Sequence, residues 1–210
     1  MRPLPSPPIL LITDRSQAAR PLPDVVAAAL DGGCRWVSIR EKDMPALERR
    51  RLAEQLLRRA EPYRARIGAH DDVPLAASLG LRALHLPSAG PASDVKSAKR
   101  QADPRCLIGR SCHSAAAVDA CLAAGADYAT LSPIFLTESK PGYGPAVGLE
   151  ALAGIATGTA LPIVALGGMT AERAAACREA GAKGIAVMGE VMRAEDPAKA
   201  MRALITAWTG

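Results

Sequence analysis

The chain is poor in aromatic side chains: one Phe, two Trp and three Tyr in 210 residues. With so few platforms for stacking bases, single-stranded nucleic acid is a poor match as a partner. Histidines number three, and the five cysteines, at 34, 106, 112, 121 and 177, show no CxxC or Cys/His spacing suited to zinc. An odd count of that kind is read as reduced thiols, with no disulfide and no structural metal. Long hydrophobic runs are also missing. The proline-rich start Met1-Arg-Pro-Leu-Pro-Ser-Pro-Pro is followed by only four apolar residues, Ile9 to Ile12. Neither a signal peptide nor a membrane span fits, so a cytoplasmic protein without membrane partners is expected.

Charge is unbalanced only mildly, at a formal +5 with a pI near 9.1. That suits a small anionic ligand but is too weak a bias to imply nucleic acid. The basic run Arg49-Arg50-Arg51 and the pair Arg58-Arg59 fall within a helical pattern and read as a solvated outer face. At 49% hydrophobic, the length supports one sizeable core, and the chain is read as one domain over residues 1–210.

Short apolar runs recur at 9–13, 35–40, 66–70, 83–86, 106–109, 128–131, 163–166 and 184–188. Alanine- and leucine-rich segments with helical spacing lie between them, near 23–31, 44–60, 73–79, 92–101, 114–124, 149–156, 170–180 and 197–208. Eight strands alternating with eight helices predict an α/β fold, a (β/α)8 barrel. An open doubly wound sheet is the rival, but no GxGxxG follows the first strand. The one long connection, 135–148, is rich in Gly, Pro, Ser and Lys and is a candidate lid over the strand ends.

In a barrel of this kind chemistry is placed at the C-terminal strand ends. Strands seven and eight each finish in glycine, at Gly167-Gly168 and at Met188-Gly189. Such turns let backbone N–H groups approach a phosphate, with a helix N-terminus aimed at the same point. Glycines that merely make tight turns are the simpler alternative. Strand two ends Ser38-Ile39-Arg40-Glu41-Lys42, and alternation puts Ser38 and Arg40 on the inner side with Lys42 at the rim, two cations suited to a diphosphate. Their pairing with Glu41 and Asp43 on the surface is the alternative.

Strand three ends His70-Asp71-Asp72, where the imidazole is a candidate acid or base and an Asp a candidate Mg2+ ligand. Asp72 also reads as a helix N-cap. After strand five, Ser111 offers a hydroxyl, Ser114 reads as an N-cap, His113 as a surface histidine, and Cys112 lacks the context of a nucleophile. Thr137, Ser139 and Lys140, on the candidate lid, offer two hydroxyls and a cation to a phosphate; a solvated loop is the alternative.

Taken together, the sequence resembles the thiamin phosphate synthase and TenI family from Leu10 to about Ile205. The pieces that carry the likeness are Leu11-Ile-Thr-Asp14, Ile39-Arg-Glu-Lys42, Asp71-Asp72, His85-Leu86, Ile108-Gly109 with Ser111 and His113, Ala126-Asp127-Tyr128, Pro133-Ile-Phe-Leu-Thr-Glu-Ser-Lys140, and Pro162-Ile-Val with Gly167-Gly168. The resemblance implies a barrel that binds hydroxyethylthiazole phosphate, or its carboxylated precursor, at the glycine turns of strands seven and eight. For the synthase it also implies a pyrimidine methanol diphosphate. Arg40, Lys42, Ser111, Thr137, Ser139 and Lys140 would hold the two phosphorylated substrates, and Asp71 would bind Mg2+.

Two positions depart from the synthase pattern: Gly90 stands where a second metal-binding Asp is expected, and His70 stands where the synthases carry Asn. The segments around 85–88, 108–111, 167–170 and 185–188 instead look like TenI proteins, which isomerise a thiazole carboxylate phosphate without a metal. Proline 133 occupies the position of their proton-transferring histidine. The expectation is therefore a TenI-like tautomerase needing no cofactor, with His70 as its acid or base. The alternatives are a synthase with Mg2+ at Asp71 and a barrel that binds a thiamin precursor without turnover. The oligomeric state is left open, a homo-oligomer included.

Overall fold

The computed structural model describes residues 1–90, 93–136 and 145–210. Eight parallel strands close on themselves in sequence order: β1 (Ile9–Ile12), β2 (Trp36–Ile39), β3 (Arg66–His70), β4 (Ala83–Leu86), β5 (Leu107–Cys112), β6 (Tyr128–Leu131), β7 (Ile163–Leu166) and β8 (Gly184–Val187). The ring is sealed where β1 pairs with β8, Leu10 in register with Ala186. Helices follow the strands: α1 (Leu22–Asp31), α2 (Ala46–Ala60), α3 (Val73–Ser78), α4 (Val95–Gln101), α5 (Ala115–Ala123), α6 (Gly148–Gly158), α7 (Ala171–Glu179), a short α8 (Gly189–Met192) and α9 (Pro197–Thr209). Among the described residues, no helix is long and apolar enough to cross a membrane.

Alternation along each strand divides the core in two. One set of side chains packs between barrel and helices, for example Val37 and Ile39 of β2 against Leu52 and Leu56 of α2. The other fills the barrel itself, with Leu10, Trp36, Leu107, Tyr128 and Val164 among its members. A barrel of eight strands is packed solid by such layers, so the inner residues at the top layer form the floor of whatever lies above.

Local signals fix the helix starts. The Asp72 carboxylate accepts from the Leu75 amide at 2.9 Å, and the Ser114 hydroxyl from the Ala117 amide at 3.2 Å. These are the N-caps the sequence predicts; each is worth about 1 kcal/mol.

Two expectations are corrected. Strand five does not stop at Gly109: Arg110, Ser111 and Cys112 continue it, paired with Ala129, Thr130 and Leu131 of β6. Ladder bonds to β6 extend a segment whose own residues lack an apolar pattern. The arginine run is also not simply a solvated face. Arg51 is exposed, but Arg49 donates to the Asp72 carboxylate at 2.8 Å and to the Met44 carbonyl at 2.8 Å, tying α2 to the end of β3.

Candidate functional site

A cavity of about 480 Å3 opens at the C-terminal ends of the strands. Its wall brings together Arg40 and Lys42 just past β2, His70 of β3, Ser111 of β5 with His113 just past it, the Gly167-Gly168 turn after β7, and Met188-Gly189 after β8. All of these but His113, which the sequence reads as a surface histidine, are separate candidates in the sequence, and the closed barrel gathers them. Ser38 lies deeper: it is 3% exposed and does not line the cavity, because it sits one inward layer below Arg40. Asp71 stands at the rim outside the lining, 3.9 Å from the Lys42 ammonium. Thr137, Ser139 and Lys140 fall outside the described residues.

Arg40 and Lys42 do not pair with their acidic neighbours. Glu41 turns away from both and is buried at 2% exposure; its carboxylate accepts from the Thr13 hydroxyl at 2.7 Å and the Arg15 amide at 3.1 Å. Asp43 takes the Arg15 guanidinium through two bonds of 2.7 Å. Arg15 thus absorbs both acids, and its own pKa is raised by them. The Thr13 oxygen accepts in turn from the Arg40 amide at 2.9 Å, which fixes the backbone from which Arg40 projects. Arg40 and Lys42 thus line the cavity, with the Asp71 carboxylate 3.9 Å from the Lys42 ammonium.

The wall at β7 and β8 brings backbone to the cavity. Gly167 and Gly168 have φ of 107° and 60°, the left-handed region that glycine occupies at little cost. A Cβ on Gly168 would lie 2.8 Å from a guanidinium nitrogen of Arg173 and 2.7 Å from the Leu136 carbonyl. A Cβ on Gly189 would likewise run into the guanidinium of Arg193. Each glycine is therefore covered by an arginine, Gly168 by Arg173 of α7 and Gly189 by Arg193 just past α8, and both arginines line the cavity. Arg173 is held by the Gly168 carbonyl at 2.6 Å and lies 4.6 Å over the Phe135 ring. Peptide groups, two guanidinium groups and the N-terminus of α7 make this end suited to a phosphate. Sequence reasoning did not single out Arg173 or Arg193, although an Arg one turn past a strand-end glycine is a readable signal.

The remaining candidates sort cleanly. His113 is exposed at the cavity mouth, its Nδ1 2.7 Å from the Ser132 carbonyl oxygen. Cys112 is fully buried on the outer side of β5, 3.4 Å from the Ala117 carbonyl oxygen, and plays no part in the cavity. Asp71 holds a positive φ of 59°, a conformation that Asp tolerates better than most residues and that recurs at functional strand ends.

The sequence profile of thiamine monophosphate synthase matches residues 9–191. The chain belongs to the thiamine monophosphate synthase family. A Geobacter sulfurreducens protein provisionally named a thiamine-phosphate synthase is 37% identical over 94% of this chain and 92% of its own length. The thiamine-phosphate synthase of a Roseiflexus species is 36% identical over 93% of this chain and 83% of its own. Among solved structures, thiamine phosphate pyrophosphorylase from Pyrococcus furiosus superposes with a TM-score of 0.85 at 29% identity, covering 96% of both chains. Gly90 has a φ of 93°, and among the described residues a side chain added there would meet nothing within 4 Å. Among the described residues, no group of three His, Cys, Asp or Glu is placed to hold a metal.

Proposed function

We propose that this chain is a thiamin phosphate synthase, a transferase that joins the nitrogen of hydroxyethylthiazole phosphate to the methylene of hydroxymethylpyrimidine diphosphate and releases diphosphate. The observation that carries this reading is that the cavity has two cationic ends. Arg40 and Lys42 stand at β2; Gly167-Gly168, Arg173 and Arg193 stand at β7 and β8. In the ring of eight, β2, which delivers Arg40 and Lys42, lies three strands from β7 and two from β8, so these cations and the glycine turns stand on separate stretches of the cavity wall. A tautomerase acting on a thiazole carboxylate phosphate must seat one phosphate and one carboxylate. A reaction between a monophosphate and a diphosphate must seat a phosphate and the more highly charged diphosphate, which the paired cations Arg40 and Lys42 suit better than a lone carboxylate.

The chemistry follows from the placement. As the bond between the pyrimidine methylene carbon and the diphosphate oxygen breaks, negative charge grows on the leaving diphosphate and positive charge on the methylene. Arg40 and Lys42 are positioned to stabilise the first, in a site where fixed charges need no reorganisation. The glycine end holds the thiazole phosphate so that its ring nitrogen forms the new carbon–nitrogen bond, a gain from orientation. The residues fit Mg2+ of one kind only. Asp71 supplies a single carboxylate with Lys42 beside it, which suits an ion that arrives on the diphosphate and is held mainly by phosphate oxygens and water, not an all-protein cage. Such an ion would neutralise the leaving group when bound.

The test is simultaneous occupancy. Isothermal titration of inorganic diphosphate with Mg2+ into protein already saturated with thiazole phosphate should give a second binding event of undiminished stoichiometry. Mutual exclusion of the two ligands would contradict the two-ended reading.

One observation favours a second reading, the thiazole tautomerase. His70 lines the cavity, giving an imidazole where Pro133 supplies none. Loss of tautomerase turnover in His70→Ala would support it, and unchanged turnover would remove it. Tight ligand binding with neither activity would leave a non-catalytic precursor-binding barrel.

A further inference from the structure

Beneath the cavity floor lies a buried polar chain that the reaction as described has not used. His85 of β4 is 1% exposed. Its Nδ1 is 3.0 Å from the Tyr128 hydroxyl, and its Nε2 is 2.9 Å from the Ser111 hydroxyl and 3.3 Å from that of Thr130. Gly109 makes the arrangement possible: it is in register with Tyr128, and a Cβ there would collide with the phenol ring. Ser111 is the member of the chain that reaches the cavity.

Burial pushes the His85 pKa down to about 3, so the ring is neutral and carries one N–H and one acceptor nitrogen. Which nitrogen holds the proton decides what Ser111 can do. Tyr128 settles the choice. Burial pushes its pKa well above the ordinary value, so the phenol keeps its proton. Among the described residues, the one polar side chain bonded to that hydroxyl is His85. Were Nδ1 the donor, the phenol O–H would be buried without an acceptor, which folded proteins strongly disfavour. Tyr128 therefore donates to Nδ1, and the imidazole proton sits on Nε2. The Nε2–H points at the Ser111 oxygen, the shorter of its two contacts. Having accepted that bond, the Ser111 hydroxyl directs its own proton elsewhere, and the open side is the cavity.

We propose that His85, held in one tautomer by Tyr128, is a positioning residue that makes the Ser111 hydroxyl a hydrogen-bond donor into the cavity, toward an oxygen or nitrogen lone pair of bound substrate. The role at substrate rests on the proposed reaction; the proton placement does not. The reversed arrangement, Nδ1–H with Nε2 accepting from Ser111, would give a serine that only accepts, unsuited to an anion.

Side-chain nitrogen NMR on the intact protein labelled with 15N-histidine reads the tautomer directly. The expected spectrum has His85 protonated at Nε2, unprotonated at Nδ1 and unchanged from pH 5 to pH 8. An Nδ1–H tautomer, or a ring that titrates in that range, overturns the proposal. Kinetics read its consequence. Tyr128→Phe frees the tautomer and should lower kcat by roughly tenfold, about 1.4 kcal/mol of transition-state stabilisation, while moving KM for either substrate by less than about twofold. In a Ser111→Ala background the same change should cost nothing further, because the group it orients is gone. Full additivity of the two changes would overturn the positioning role. Absence of any wild-type turnover would instead defeat the proposed reaction, with the NMR result still deciding the proton placement.

Discussion

The Lys42 ammonium lies 3.9 Å from the Asp71 carboxylate, an ion pair across the rim between β2 and β3 with the two side chains 54% and 30% exposed. Pairs that open to water contribute less than about 1 kcal/mol to folding. Asp71→Asn should therefore leave thermal stability within about 3 °C of wild type. If the carboxylate is the protein's contribution to a diphosphate-borne Mg2+, the concentration of Mg2+ needed for half-maximal rate should rise by roughly tenfold or more. A Mg2+ titration of initial rate checks this, and an unchanged midpoint would dismiss Asp71 as a metal contact.

Glu41 offers a contrasting case, since its carboxylate is buried and accepts from Thr13 and Arg15. Replacing it with Gln sets an amide N–H against one of those donors, at a cost of about 1–3 kcal/mol. Because Thr13 also holds the Arg40 amide, Glu41→Gln should raise KM for the diphosphate substrate more than for the monophosphate. Urea unfolding and separate KM measurements read the two effects.

At the other end of the cavity, Gly168→Ala combines a φ of 60° with a Cβ 2.7 Å from the Leu136 carbonyl. Strain and overlap together should cost about 2 kcal/mol of stability. Thiazole phosphate binding should weaken by at least about tenfold as Arg173 is displaced. Diphosphate affinity, which draws on Arg40 and Lys42, should hold. Equal loss for both ligands would mean that the two ends are not separate seats.

Acid should destabilise the fold through His85. Its pKa is about 3 in the native state against roughly 6.5 in the unfolded chain. Between those values the unfolded chain binds a proton that the native protein does not, so stability falls as pH drops below about 6.5. From pH 7 to pH 5 this residue alone should remove about 2 kcal/mol. Urea unfolding at the two pH values should show that loss in wild type and a correspondingly smaller one in His85→Gln.

The barrel was legible because each strand is a short apolar run and each helix has a buried stripe, signals carried by the strands' and helices' own residues. Strand five was the exception: Gly109, Arg110 and Ser111 look like a turn, and only their ladder with β6 makes them a strand. The cavity residues Arg40, His70 and the glycines were legible from their place at strand ends. Depth was not. Ser38 and Arg40 share a face two residues apart, yet one is buried and the other lines the cavity, a difference set by barrel geometry. Arg173 and Arg193 were missed because each acts by folding back over a glycine a turn earlier. His85 lies in one of the family-like pieces of the sequence but shows no sign of a role there, since nothing local distinguishes an imidazole inside a barrel from one at its rim.

The central claim is that one cavity seats two phosphorylated substrates and joins them. Incubation of the purified protein with thiazole phosphate, pyrimidine diphosphate and Mg2+, followed by oxidation of any product to fluorescent thiochrome, tests it most directly. The account predicts thiamin phosphate that requires Mg2+ and both substrates, and that falls sharply in Arg40→Ala. No thiochrome, in a buffer where a known synthase is active, would contradict it.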